Sequence, residues 1–180
     1  MSYYLGIDAS LTSPGFCLAD EQRPYIRSKN IKTKEKGPYR ITEILNEIIT
    51  GYIMTDEKPK KIIIEGLSFG SRGKGFLNLA ELAGIIKYEL FRYHYGPDYG
   101  LIIVPPASLK QFATGKGNVE KSAMILQAYK ESGIEFECSD ECDAFWLAQV
   151  GRASDGCWDG ICHTKLREIV LKKIIGDQKE

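Results

Sequence analysis

Tyr3-Tyr4-Leu5-Gly6-Ile7-Asp8-Ala9-Ser10-Leu11-Thr12-Ser13-Pro14-Gly15-Phe16-Cys17-Leu18-Ala19 is the stretch whose reading decides the fold. Tyr3 to Asp8 is short and apolar, Ser10 to Gly15 is built of turn formers, and Phe16 to Ala19 resumes an apolar run, so strand, turn and strand are expected. Tyr25 to Ile31 reads as a third strand. The links between the three are too short for crossovers, so they pair antiparallel.

Further along, Ile41, Ile44, Leu45, Ile48, Ile49, Tyr52 and Ile53 recur at three- and four-residue intervals, one face of an amphipathic helix. Lys61-Ile62-Ile63-Ile64-Glu65 is too short and too β-branched for a helix. It reads as a strand buried on both faces and parallel to the first. A glycine-rich loop, Gly66 to Gly75, carries Phe69, Arg72 and Lys74, and a long helix follows over Phe76 to Phe91. Leu101 to Val104 is a fifth strand, halted by Pro105-Pro106. A short helix at Ser108 to Phe112, a loop at Thr114 to Asn118, helices to Ser132 and over Asp140 to Arg152, and an amphipathic stretch from Lys165 complete the pass. The order predicts one α/β domain over 1–180, a mixed five-stranded sheet flanked by helices, with 165–180 as a C-terminal amphipathic segment.

Carboxylates stand where these elements end. Asp8 closes the first strand and Glu65 the fourth, so if the two are adjacent and parallel their acids meet at the carboxyl edge, where α/β sheets bind ligands. Asp140 and Asp143 lie three apart near a helix start and share one face. Acids crowded together repel unless protonated or bridged by cations, and hard oxygen-seeking ions such as Mg2+, with Mn2+ as a substitute, are the natural partners. Two ions roughly 3.5–4 Å apart activate water and stabilise the leaving oxygen of a phosphodiester. Each acid also has an ordinary structural reading. Asp8 can cap a turn, Glu65 can pair with a lysine, and Asp140 with Asp143 can form an acidic variant of a capping box.

Net charge is zero, with 24 basic and 24 acidic residues, so nothing draws the whole molecule toward nucleic acid, and any DNA contact must come from local lysine clusters. No run approaches a membrane span and the first residues carry no basic leader, which predicts a cytoplasmic protein, bacterial or of a phage-infected bacterial cell. Five cysteines, an odd number, argue against a disulfide framework. Their Cys138-x3-Cys142 and Cys157-x4-Cys162-His163 spacings fall outside the usual zinc patterns, so reduced thiols are expected.

The acids also carry a family resemblance. Gly6-Ile7-Asp8-Ala9-Ser10-Leu11-Thr12-Ser13-Pro14-Gly15-Phe16 resembles the opening motif of the RuvC-type Holliday junction resolvases of the RNase H-like superfamily, with Ala9-Ser10 in place of Pro-Gly. Ile62-Ile63-Ile64-Glu65 resembles the second motif, and Asp140-Glu141-Cys142-Asp143-Ala144-Phe145-Trp146-Leu147-Ala148 is similar to the D-x-x-D-A-x-x-x-A motif that completes the site. Lys110 and Lys121, eleven residues apart, match the spacing of the two functional lysines of that family. The resemblance runs from Leu5 to Ala148 in order. It implies an RNase H-like fold and a homodimer that nicks four-way DNA in pairs with two Mg2+ ions per active site. In that reading Asp8, Glu65, Asp140 and Asp143 hold metal, Lys121 joins them in catalysis, and Phe69, Arg72, Lys74, Lys110, Lys116 and Lys121 contact DNA. One departure is Ser68, where the family places an aromatic; Phe69 follows it. The divergent loop and C-terminal segment look phage-like.

Gly115 to Ser122 superficially suggests a nucleotide-binding loop, but Glu120 stands where a glycine must precede Lys121, so no nucleotide cofactor is expected. An actin-like kinase, which shares the Gly6-Ile7-Asp8 opening, needs two related halves, more chain than 180 residues supply. The other alternative is a non-cleaving protein that binds branched DNA on the same fold.

Overall fold

The computed structural model describes residues 2–53, 58–67, 74–93 and 100–178, with backbone alone at 53 and 74. The elements are β1 (Tyr3–Asp8), β2 (Gly15–Asp20), β3 (Arg27–Asn30), α1 (Pro38–Ile48) running on into a π-helical turn (Ile49–Ile53), β4 (Pro59–Glu65), α2 (Lys74–Arg92), β5 (Leu101–Val104), α3 (Pro106–Thr114), α4 (Lys121–Ser132), α5 (Ser139–Ser154) and α6 (Lys165–Gly176). The sheet order is β3-β2-β1-β4-β5. β1–β2 and β2–β3 are antiparallel, whereas β4 joins β1, and β5 joins β4, in parallel. The expected mixed five-stranded sheet is present.

Among the elements that differ from expectation, two concern proline-flanked boundaries. The third strand, Arg27–Asn30, is shorter than Tyr25 to Ile31, although the Ile26 N–H still reaches the Leu18 carbonyl at 2.8 Å; the Tyr25 ring packs edge-on against Phe136, 6.0 Å between centroids. Conversely, the Pro105-Pro106 pair starts a helix as well as stopping a strand. Pro106 occupies the first helical position, where its missing N–H costs nothing, and α3 outruns the expected Ser108 to Phe112.

Side chains alternate across a strand, and this divides the core in two. Tyr3, Leu5 and Ile7 of β1, Phe16 and Leu18 of β2, and Ile62 and Ile64 of β4 pack beneath α1 and α2 with Ile44, Ile48, Leu82 and Ile86. Tyr4, Cys17, Ala19 and Ile63 point the other way, against α5 and the helices around it. Helix α5 is buried on every side from Cys142 to Arg152. That explains its weak amphipathic pattern: a helix at the centre of a layer has no solvent face to signal.

The C-terminal helix is fastened by one side chain. Arg167, 5% exposed, donates to the carbonyls of Phe112, Ala113 and Cys162 and forms a two-pronged pair with Glu131, Nη1 to Oε2 at 2.7 Å and Nη2 to Oε1 at 2.9 Å. α6 is thereby tied to the end of α3 and the last turn of α4. Beyond it, the Gln178 amide bonds both backbone groups of Ile103 at 3.0 Å, closing the middle of the edge strand β5.

Candidate metal centre

The alternation that splits the core also aims the acids. On β1 the residues sharing the α5 face are Tyr4, Gly6 and Asp8; on β4 they are Ile63 and Glu65. Parallel pairing with Ile7 opposite Ile64 sets Asp8 beside Glu65 at the carboxyl edge. Helix α5 brings the remaining pair. Asp140 and Asp143 stand in its first turns, and its axis passes unusually close to the sheet: a Cβ on Gly6 would lie 2.0 Å from the Ala144 carbonyl oxygen, and one on Gly15 would lie 2.0 Å from that of Asp140. Two side-chain-free positions on adjacent strands thus form the seat for the helix. Ala144 and Ala148 keep the helix side of the contact small.

Carboxylate oxygens of Asp8, Asp140 and Asp143 lie within 4.8 Å of one another. Glu65 stands beside Asp8 at the adjoining strand ends, and it, Asp8 and Asp143 act on one another electrostatically. All four expected acids therefore meet. The capping-box alternative is not what the structure builds: the N-cap of α5 is Cys138, without a side-chain cap bond.

The crowding shows in the protonation. Burial, then the charges of Glu65, Asp143 and Asp140, push the Asp8 carboxyl well above its ordinary range. Burial and the Asp143 charge raise Glu65 to about 7, against the opposing pull of Asp8 and two lysines. Asp143 is raised chiefly by burial. Asp140 moves the other way: burial works against its charge, but hydrogen bonds from Ser13 and Lys121 hold it below the usual carboxylate value. Asp143 Oδ1 is buried and has no hydrogen-bond partner. A buried carboxylate oxygen left unmatched is costly, and a divalent cation held by these oxygens removes that cost. The donor set, hard oxygens only, suits such an ion.

Lys121 begins α4, and its ammonium reaches Asp140 Oδ1 at 2.9 Å and Asp143 Oδ2 at 3.3 Å. Lys110, on α3, acts electrostatically on both Glu65 and Asp143. Lys116 is exposed in the link between α3 and α4, just after Gly115, whose φ of 85° ends α3 in a left-handed turn. Phe69 and Arg72, like Ser68, lie outside the described residues, as does the Lys74 side chain. Sequence reasoning gave no role to Ser13, whose hydroxyl donates to Asp140 Oδ2, or to Asn30 behind it. Hydroxyls and amides are too common in turns to stand out.

All five cysteines are free thiols. Among the described residues Asp8, Asp140 and Asp143 form the only group of three acids, cysteines or histidines close enough to share an ion, and no helix is long and apolar enough to cross a membrane.

No protein-family model matches the chain, and no curated protein matches it in sequence. Solved structures do. The Thermus thermophilus RuvC structure superposes with a TM-score of 0.67 at 17% identity, covering 86% of this chain and 97% of that one. This chain has the RuvC fold. The T. thermophilus RuvC complex with a Holliday junction substrate gives 0.63 at 18% identity over 86% and 97% of the two chains. The Fowlpox virus resolvase, with its substrate Holliday junction DNA, gives 0.52 at 13% over 86% and 99%. The RuvC fold is RNase H-like, and the described sheet order and flanking helices follow it.

Proposed function

We propose that this chain is a divalent-metal-dependent endodeoxyribonuclease that resolves four-way or related branched DNA junctions by paired nicking. The observation that carries the reading is the cluster of Asp8, Asp140 and Asp143, with Glu65 beside Asp8 at the carboxyl edge of β1 and β4 and one buried oxygen unmatched, on a fold shared with RuvC and a viral resolvase solved with Holliday junction DNA. A protein that only bound DNA would gain nothing by setting four acids against phosphate.

In this reading the four carboxylates hold two Mg2+ ions, with Mn2+ as a substitute. When bound, such ions supply a lowered water pKa and charge stabilisation at the phosphorus. The chain's own residues do the rest. Asp8 feels the charges of Glu65, Asp143 and Asp140 alike, which suits it to share both ions. Lys121, paired with Asp140 and Asp143, is placed to hold a phosphate oxygen once the acids are neutralised. Lys110 and the exposed Lys116 continue the positive edge along the DNA backbone. Leu77, Tyr88 and Phe91, 65%, 62% and 62% exposed on α2, are the apolar residues we assign to contact with a second copy of the chain, as paired nicking requires.

The test is a labelled four-way junction incubated with the protein and Mg2+. Symmetrical cuts in two strands are expected, with Asp8→Asn reduced to background. An intact junction, undiminished cutting by Asp8→Asn, or gel shifts without turnover in both Mg2+ and Mn2+ would each overturn it, the last in favour of a non-cleaving junction binder. Monomeric mass by light scattering on the cleaving protein would remove the dimer.

A further inference from the structure

The first candidate cation ligand on α5, Asp140, is gripped from two sides. Lys121 takes Oδ1 at 2.9 Å, assisted by Ser139 at 3.2 Å. The other oxygen, Oδ2, accepts a hydrogen bond from the Ser13 hydroxyl, across 127 residues of chain. Ser13 is itself fixed. Its N–H lies 3.4 Å from the Ser10 hydroxyl, which also receives the Thr12 N–H at 3.4 Å. Its carbonyl accepts from Asn30 Nδ2 at 2.7 Å, and the same amide reaches the Pro14 carbonyl at 3.4 Å. Immediately beyond, Gly15 abuts the Asp140 backbone. The β1–β2 turn and the end of β3 therefore form a brace whose tip is one hydroxyl.

From this arrangement we infer that Ser13 is a positioning residue for the metal site: by occupying Asp140 Oδ2 it fixes the carboxylate plane and presents Oδ1 alone toward the cation. The inference rests on the metal-dependent reading above. A carboxylate free to rotate about its last bond loses entropy when it binds an ion, whereas one already held by a second hydrogen bond has lost it on folding. Asp140 is the acid of the four for which such a hydroxyl brace is seen. Lys121 holds the oxygen that Ser13 leaves for the cation, so a bound ion would displace the ammonium from Oδ1 while Ser13 stays in place.

The experiment is calorimetric titration of Mn2+ into the full chain without DNA, for wild type, Ser13→Ala, Ser13→Thr and Asn30→Ala, with thermal melts alongside. Ser13→Ala should bind Mn2+ about tenfold more weakly, and Ser13→Thr, which keeps the hydroxyl, should recover most of that loss. Asn30→Ala, which leaves the hydroxyl but loosens the turn, should fall between. On a junction substrate, Ser13→Ala should raise the Mg2+ concentration for half-maximal cutting and leave the rate at saturating metal nearly unchanged, a split that general destabilisation does not give. Wild-type Mn2+ affinity in Ser13→Ala, or a folded Ser13→Thr as weak as Ser13→Ala, would overturn the inference and leave the nuclease reading standing. Should Ser13→Ala fail to fold, wild-type affinity in Asn30→Ala overturns it. Wild-type protein that takes up no Mn2+ would remove both.

Discussion

Glu65 is held at about 7 by burial and the nearby Asp143 charge, far above its ordinary value of 4.5, and this gives the metal-free protein a distinctive acid response. Between those two values the folded chain keeps a proton that the unfolded chain has released. Stability therefore falls as pH rises through that window. The melting temperature of the metal-free protein should drop from pH 5 to pH 7, and saturating Mn2+ should reverse the drop, because cations bind only the deprotonated site. A melting temperature that ignores pH with and without Mn2+ would count against a shared cation site. At this scale the sequence was most legible for the acids and Lys121, because each stands at the end of an element where a short motif marks it. It was silent on Ser13 and Asn30. Their roles come from a turn meeting a helix 127 residues away, and no local pattern encodes that meeting.

Among the elements, the contact of α5 with the β1–β2 hairpin decides whether the acids meet. Gly15→Ala puts a methyl 2.0 Å from the Asp140 carbonyl oxygen, a backbone atom that cannot swing aside. The helix must lift, and overpacking of this kind costs about 1–3 kcal/mol or more. Urea unfolding should show that loss, and the surviving folded protein should bind Mn2+ more weakly. Gly84, on α2, is the control, since a Cβ there meets nothing within 4 Å. Strands and most helices could be read from apolar spacing, since their faces differ. The start of α3 could not, because a helix-starting proline at Pro106 settles it. The central placement of α5 was equally hidden, since a helix buried all round carries no stripe.

For the molecule as a whole, DNA affinity has to come from a few lysines on a chain of zero net charge. Lys116→Gln should weaken binding to every junction sequence alike and flatten the salt dependence by about one counterion. Lys110 and Lys121 ride on α3 and α4, with Lys116 in the link between, and Arg167 clamps both helices to α6. Arg167→Ala leaves Glu131 buried without its partner and should cost about 3–5 kcal/mol in unfolding free energy. Although burial opposes its charge, Arg167 keeps the Glu131 carboxyl below its ordinary 4.5. The pair's contribution is full above that value and fades as pH falls through the lower folded one. The amide of Gln178, seated on Ile103, has a consequence of its own. It plays the part of one residue of a sixth strand, so the outermost ribbon of the sheet offers no ready template to a passing chain. Trimming the last few residues should leave the fold intact yet make concentrated solutions cloud and gather fibrous precipitate, because a margin once plugged by a single side chain would lie open to its own kind.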